Sequence, residues 1–597
     1  MLPPNLNKWK LNRETENLLF FAQLIEEMLF NFSLEHFKLP ALNTHTLCME
    51  LLGVLKQVDS RLLDPENLSP IGAELKAEID RDPALDTLLG NQKANITRDL
   101  EDSTAGPFRH AAHTLNNLLA TTYLPATVTL LRKKITDGDK EGITALTKNY
   151  LTELTYRGYS LEYIFFENKN HFFEGAEPKS IEDLSAFDAF VDLFPLEPKT
   201  WTVVFRTGKD FKYLREFPPQ LNVTAGTEKP DLHFPRNPEN IGIFLDRKFK
   251  LPHYLCFQNV TALDGFSARY AMEEKLLLVD GLAKFHVHRT ELEWSRAALI
   301  FDAEKKHVGV FSKPVPAAMK RLDQNARQSS VFINDTAGAI FSENLSEASS
   351  LKLSRALKIH EMALKAPAPE TQLRELLSML ELLFEPQEEE EERVPHLITR
   401  VVPYLIIGFP AKLAADLIKS IRNAGSKEAV DILYGVEHGH NLIEKCLLLV
   451  FTEENRQNRE RLCRCLGSHP LLVHRIDSLS RAFISAPAIR ASLEAYAGEI
   501  AWQIHRAFRA VKLGSHSGSN VSVVNKLVEN IHSIADRVMN VLLDEISRKK
   551  TGTTIERIHQ EILLQSQRHF EILEMRKDEI CGRDNFNCLL FGDENPV

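Results

Sequence analysis

The chain has 597 residues, a formal net charge of −10, and 44% hydrophobic and 26% charged residues. A single hydrophobic core rarely grows beyond about 250–300 residues, so we expect more than one domain. The acidic balance excludes a non-specific nucleic-acid coat, which needs a broad basic surface, but it leaves room for a local basic site.

The seven cysteines are scattered along the chain, and their spacing indicates no disulfide framework. The N-terminus lacks the charged-then-apolar pattern of a signal peptide. No stretch approaches the roughly 20 apolar residues that a membrane span needs. We therefore expect a cytoplasmic protein with no membrane partner.

Residues 1–175 predict a helical N-terminal region. Gly158 is expected to end one helix, and Ser160 is a good N-cap for the next. Three segments place apolar residues at helical spacing: Leu18–Phe32, Leu47–Val54 and Ala112–Leu131.

Residues 176–345 predict a mixed α/β domain. The segment Gly265–Leu282 has helical periodicity, and the polar stretch Gln324–Ser350 is the expected linker to the next region. Runs of β-branched and aromatic residues predict five strands, the last two forming a hairpin: Thr200–Arg206, Ile241–Leu245, Leu255–Val260, Ala297–Asp302 and His307–Phe311.

Residues 346–597 predict a helical domain, so the fold class of the whole chain is expected to be mainly α. The five glutamates of Glu388–Glu392 are most simply a solvated loop or helix start. The predicted helices are Leu351–Lys365, Thr371–Leu383, Val394–Ile406, Leu413–Ala424, His440–Phe451, Asn455–Leu466, Arg475–Ile484, Ser492–Leu513 and Val521–Ser547.

The most informative stretch is Ile500–Gly518, IAWQIHRAFRAVKLGSHSG. It resembles the signature end of an Apea-like HEPN domain, the RNase-related helical module of prokaryotic antiviral proteins. The positions that match are Trp502, Arg506, Phe508, Arg509, His516, Ser517 and Gly518. Three upstream segments resemble the same family: Ala356–Lys365, Gln372–Leu383 and His469–Ile476. The resemblance as a whole covers Leu351–Ile546. A further segment, Val260–Ala268, is similar to one that often precedes such domains.

The resemblance implies a helical bundle that dimerises and cuts RNA without a metal or any other cofactor. A histidine can shuttle the proton of the RNA 2′-hydroxyl, and an arginine can hold the phosphate. On that basis the catalytic pair would be Arg509 and His516. Arg506, Lys512 and Ser517 would bind the RNA, and a homodimer would form through residues 490–546.

The motif departs from the family pattern at one important place. Aligned on His516, the usual catalytic arginine is Val511 and the usual asparagine is Lys512. Arg509 could substitute for that arginine, since it and His516 would share a helix face if Gly514 did not end the helix. Lys512 could also supply the charge, but as a point charge and not as a planar fork.

The alternative is a degenerate HEPN domain. In that interpretation Arg506 and Arg509 make interhelical salt bridges, and His516 caps or packs. The function is then either metal-independent RNA cleavage in antiviral defence of the abortive-infection type, or an inactive HEPN subunit that binds RNA or a partner protein in a defence complex.

Other chemistries have weaker support. Asp231 with Asp246-Arg247-Lys248 resembles a degenerate PD-(D/E)xK nuclease arrangement, which a surface turn explains as well. Cys463 and Cys465 lack a second cysteine pair for zinc, and His286 and His288, placed on a possible strand, lack a third ligand. The sequence contains no phosphate loop, dinucleotide fingerprint, H-E-x-x-H or G-x-S-x-G motif.

Overall fold

The structure is a computed structural model. It describes residues 5–29, 42–101, 105–208, 222–228, 230–233, 251–288, 292–312, 345–385, 393–513, 521–548 and 552–592, together with the single residues Ile241, Phe244 and Ala337.

The chain divides into two compact units that do not follow chain order. The first unit contains Met1–Glu153, Phe172–Ala186 and Pro316–Val597, and the second contains Leu154–His171 and Phe187–Val315. The described residues are mostly helical, with one small antiparallel sheet in the middle of the chain. The mainly α fold class is therefore confirmed at that level.

Polar side chains cap several helices in the N-terminal part of the chain. Asn43 and Thr46 form a capping box at α2, and the side chain of Asp82 accepts a hydrogen bond from the Ala84 amide at α4. The helices are α1 (Arg13–Leu29), α2 (Thr44–Asp59), α3 (Leu68–Arg81), α4 (Pro83–Leu89), α5 (Lys93–Glu101), α6 (Ala105–Asp137), α7 (Lys140–Arg157), α8 (Leu161–Lys169) and α9 (Ser185–Val191).

The second unit is built on a sheet of strand order β2-β3-β1-β4-β5, with all pairs antiparallel. Residues alternate along β1, so that Val203 and Phe205 pack in one core cluster and Val204 packs in another. Helix α10 contributes Met272 and Leu276 to the first of these clusters. The elements are β1 (Lys199–Thr207), β2 (Val223–Gly226), β3 (His253–Ala262), α10 (Gly265–Val287), β4 (Trp294–Phe301) and β5 (His307–Ser312).

The C-terminal part of the first unit is built mainly from helices in the residues described. Its long central helix, α19, packs against α12, α13, α18, α20 and α21, and also against α3. The helices are α11 (Glu347–Lys365), α12 (Pro369–Leu383), α13 (Arg393–Ile406), α14 (Phe409–Asn423), α15 (Lys427–Tyr434), α16 (Leu442–Phe451), α17 (Arg456–Cys465), α18 (Pro470–Phe483), α19 (Ala486–Leu513), α20 (Val521–Arg548), α21 (Ile555–Met575) and α22 (Phe586–Phe591).

Most secondary-structure expectations within the described residues are confirmed. The hairpin is β4 and β5, the helix after Asp264 is α10, and Ser160 caps α8 by accepting a hydrogen bond from the Tyr163 amide. One expectation is wrong: His286 lies in the last turn of α10 and His288 is its left-handed C-cap, so the pair is not on a strand. Most of the predicted strand Ile241–Leu245, most of the linker and Glu388–Glu392 lie outside the described residues.

The described helices include none that is both long and apolar enough to cross a membrane alone. Only α13 and α14 pass such a test together, by length and composition, and they are bent by 52° at their junction.

Candidate functional site

The two arginines of the HEPN-like motif lie on one face of α19. Arg506 and Arg509 are three residues apart, which places them side by side on a helix. Their exposed fractions are 7% and 4%, so both guanidinium groups are buried. A buried guanidinium needs carboxylate partners, because transfer of a charge out of water is costly.

The partners come from the N-terminal helices. Arg506 pairs with Glu74 of α3, and Arg509 Nε donates a hydrogen bond to Glu50 Oε1 of α2 at 3.1 Å. Arg509 Nη2 also lies 3.7 Å from Glu74 Oε2. We call these four residues the Arg–Glu cluster; two positive and two negative charges make it formally neutral.

Burial also sets the protonation of the groups around this cluster. It lowers the pKa of Arg506 to about 10, a change that Glu50 opposes and Arg509 adds to, so the guanidinium stays charged near neutral pH. Burial, aided by Arg509, lowers the pKa of His505 to about 4. His505 is therefore neutral at physiological pH and is poorly matched to proton transfer there.

Of the other residues in and around the predicted site, some are described and some are not. Lys512 is exposed and Val511 is half-buried, both in the last turn of α19. His516 and Ser517 lie outside the described residues. The pairing of Arg509 with His516 therefore stays a prediction, as does RNA binding by Lys512 and Ser517.

The same arrangement recurs at another segment that resembles the family. Arg475, within His469–Ile476, is 1% exposed and pairs with Glu27 of α1. Three arginines of the C-terminal helices thus each contact a glutamate from a different N-terminal helix. Sequence reasoning raised interhelical pairing for Arg506 and Arg509 but could not name Glu50, Glu74 or Glu27, because nothing local links residues so far apart in the chain.

Trp502, which marks the predicted dimer seam, is half-buried. The guanidinium carbon of Arg81 lies 5.5 Å from the centre of its ring, within range of a cation–π contact. One side of the indole is thus covered within the same chain, and a homodimer through residues 490–546 stays a prediction.

Two of the alternative sites considered from the sequence are a zinc site at Cys463 and a nuclease-like site at Asp246-Arg247-Lys248. Cys463 is half-buried on α17, and burial raises the pKa of its thiol to about 11, which disfavours the thiolate that binds zinc. Asp246-Arg247-Lys248 lies outside the described residues.

Sequence reasoning also missed a cluster of chemically capable side chains. His360 of α11 meets His532 and Asp536 of α20, and their potential ligand atoms all lie within 4.8 Å of one another. The i, i+4 spacing of His532 and Asp536 was a local signal in a predicted helix. His360, however, is far away in the sequence.

Comparison with known protein families, curated proteins and solved structures found no match to this chain.

Proposed function

We propose that this chain is a HEPN-like subunit of an antiviral defence complex that acts as a protein-interaction scaffold and does not itself cut RNA. The resemblance of Ile500–Gly518 to the Apea-like motif supports the HEPN part of this proposal. The Arg–Glu cluster is the observation that favours the non-cleaving alternative over the nuclease.

The cost of breaking the Arg–Glu cluster favours the scaffold. To hold a phosphate, Arg509 would have to give up its hydrogen bond to Glu50, which would leave that half-buried carboxylate without its cation. Breaking a buried ion pair costs about 3–5 kcal/mol, more than the roughly 1.5–3 kcal/mol that one charge-assisted phosphate contact returns. Val511 supplies no charge where the family usually has its arginine, and Lys512 alone is a point charge.

The scaffold role also agrees with the charge of the chain. Two of the cations that would have formed an RNA site are neutralised within the protein, and the net charge is −10. Partner proteins need no basic groove, so we favour a protein partner over RNA. A cytoplasmic location and a homodimer through residues 490–546 belong to the same proposal.

The proposal is tested by phage challenge of the native host carrying deletion, wild-type or His516→Ala alleles at the chromosomal locus. We expect the deletion to lower protection and His516→Ala to protect as well as wild type, because no proton transfer is required. Unchanged protection after deletion would refute the defence role. Loss of protection by a normally accumulated His516→Ala protein would favour the nuclease.

A further inference from the structure

The cluster of His360, His532 and Asp536 joins two helices of the first unit. His532 and Asp536 are one helical turn apart on α20, so their side chains project from the same face. His360 reaches them from α11. Two imidazoles and one carboxylate are a donor set that borderline transition metals prefer.

The distances between the ligand atoms agree with a shared ion. His360 Nε2 lies 3.2 Å from Asp536 Oδ1, and His532 Nε2 lies 3.5 Å from the same oxygen. Two ligands bound at about 2.0–2.2 Å in tetrahedral directions would be about 3.3–3.6 Å apart. These two distances are therefore close to the spacing of ligand atoms around one ion, and all the potential ligand atoms lie within 4.8 Å of one another.

The hydrogen bonding of His360 points the same way. Its Nε2 atom is shielded from water, yet it makes no hydrogen bond despite its closeness to Asp536. A buried polar nitrogen without a hydrogen bond is uncommon and calls for an explanation, and an ion is one of those known to account for it. The imidazole rings of His360 and His532 are stacked, with centroids 5.4 Å apart and planes 22° from parallel.

We propose that His360, His532 and Asp536 bind one divalent transition-metal ion, for which Zn²⁺ is the probe. The side chains of His360 and Asp536 keep exposed fractions of 17% and 19%, so an ion can enter and water can complete a four-coordinate shell. The bound ion ties α11 to α20 and stabilises the helical part of the first unit.

The test uses the full chain, stripped of metal with EDTA and then transferred to chelator-free buffer. Isothermal titration with Zn²⁺, checked by elemental analysis, is expected to give one saturable ion per chain. Zn²⁺ is expected to raise the Tm, because a ligand that binds only the folded state stabilises it. Asp536→Asn and His360→Asn should weaken Zn²⁺ binding by about a hundredfold or more, since even residues behind the ligands contribute about 10–100-fold.

A matched control is available in the first unit. His110 Nδ1 lies 2.7 Å from Asp99 Oδ2, a histidine–aspartate pair at an exposed site, so His110→Ala should leave the titration unchanged. The double variant Cys463→Ser/Cys465→Ser separates thiol binding from the proposed site. Circular dichroism establishes that each variant is folded.

Two results would overturn the proposal. One is a wild-type chain that shows no saturable Zn²⁺ binding and no Zn²⁺-dependent rise in Tm, which decides the matter even if every variant fails to fold. The other is binding of undiminished affinity in folded Asp536→Asn. Either result leaves the HEPN-like scaffold untouched.

Discussion

At the scale of single residues, the motif of α19 gains a structural role. Arg506 and Arg509 could be selected from the sequence because their spacing resembles a family motif. Their partners Glu50 and Glu74 could not, since a glutamate in an amphipathic helix looks like any solvated surface residue until the tertiary contact is known. The candidate site was thus half predictable, with its cations visible in the sequence and its anions not.

The pair Arg506–Glu74 makes a specific energetic prediction. Arg506→Met should lower the free energy of unfolding by about 3–5 kcal/mol, because it leaves Glu74 buried without its closest partner. Arg506→Met combined with Glu74→Leu should recover part of that loss, since no unpaired charge remains from this pair. The measurement is urea denaturation of the full chain, followed by circular dichroism.

The exposed Lys512 supplies the control for that experiment. Lys512→Met removes a cation from the same helix but from its exposed end, so it should change the free energy of unfolding by no more than about 0.5 kcal/mol. If Arg506→Met were equally harmless, the Arg–Glu cluster would not hold the helices together.

His559 makes a prediction about pH. The Leu383 carbonyl can only accept, so His559 Nε2 donates to it at 3.1 Å, and in the neutral ring Nδ1 is left to accept a hydrogen bond from the Tyr404 hydroxyl. Burial lowers the pKa of His559 from its usual 6.5 to about 4. The unfolded chain therefore binds more protons between these values, so stability is present above pH 6.5 and is lost as the pH falls towards 4.

The size of the His559 effect follows from the same values. Between pH 7 and pH 5 this group should cost the wild-type chain about 2 kcal/mol of stability. His559→Gln cannot titrate, so its loss over the same interval should be smaller by about that amount. Urea denaturation at both pH values compares the two, and parallel pH dependence would show that His559 is not responsible.

At the scale of helices and strands, local patterns predicted much of the fold. Caps such as Ser160 and runs of β-branched and aromatic residues such as Thr200–Arg206 are local features, so they are visible in the sequence. The prediction of a strand at His286-Val-His288 was wrong, since both histidines lie at the end of a helix. Two alternating residues are too few to define a period. No element was predicted after Ser547, although α21 and α22 follow it.

Asp264 shows what one cap does for the second unit. Its carboxylate accepts hydrogen bonds from the Ser267 amide at the start of α10 and from the Ser160 amide before α8, at 2.8 Å each. Asp264→Ala should therefore lower the stability of this unit by about 2–4 kcal/mol, as a cap and a buried amide lose their acceptor. Asp264→Asn keeps one oxygen acceptor and should lose less.

Hydrogen exchange measures the effect of Asp264→Ala on the two helices that Asp264 contacts. Amides of α8 and α10 should exchange faster in Asp264→Ala, and those of α20 should not change. Unchanged exchange rates in all three helices of Asp264→Ala, compared with wild type, would mean that the cap contributes little to stability.

At the scale of the whole molecule, the N-terminal and C-terminal helices of the first unit depend on each other. Residues 1–175 and 346–597 are predicted as separate regions, because no local pattern in the sequence indicates a contact between them. Glu27, Glu50 and Glu74 nevertheless neutralise arginines of the C-terminal helices.

That dependence predicts the behaviour of a fragment. Residues 346–597 expressed alone would leave Arg475, Arg506 and Arg509 without these carboxylates, so we expect an unfolded or insoluble product with no effect on growth. Gel filtration and circular dichroism of the fragment, beside the full chain, give the answer. A folded fragment that stops growth would instead indicate a nuclease restrained by the N-terminal helices.

The most direct measurement of the central claim is RNA cleavage by the purified full chain in EDTA, with wild type and His516→Ala compared on the same single-stranded RNA. If Arg506 and Arg509 serve the fold, wild-type protein should cleave no faster than His516→Ala, and both should match buffer alone. Cleavage by wild type that His516→Ala abolishes would contradict the account, because it would require a working phosphate clamp beside His516.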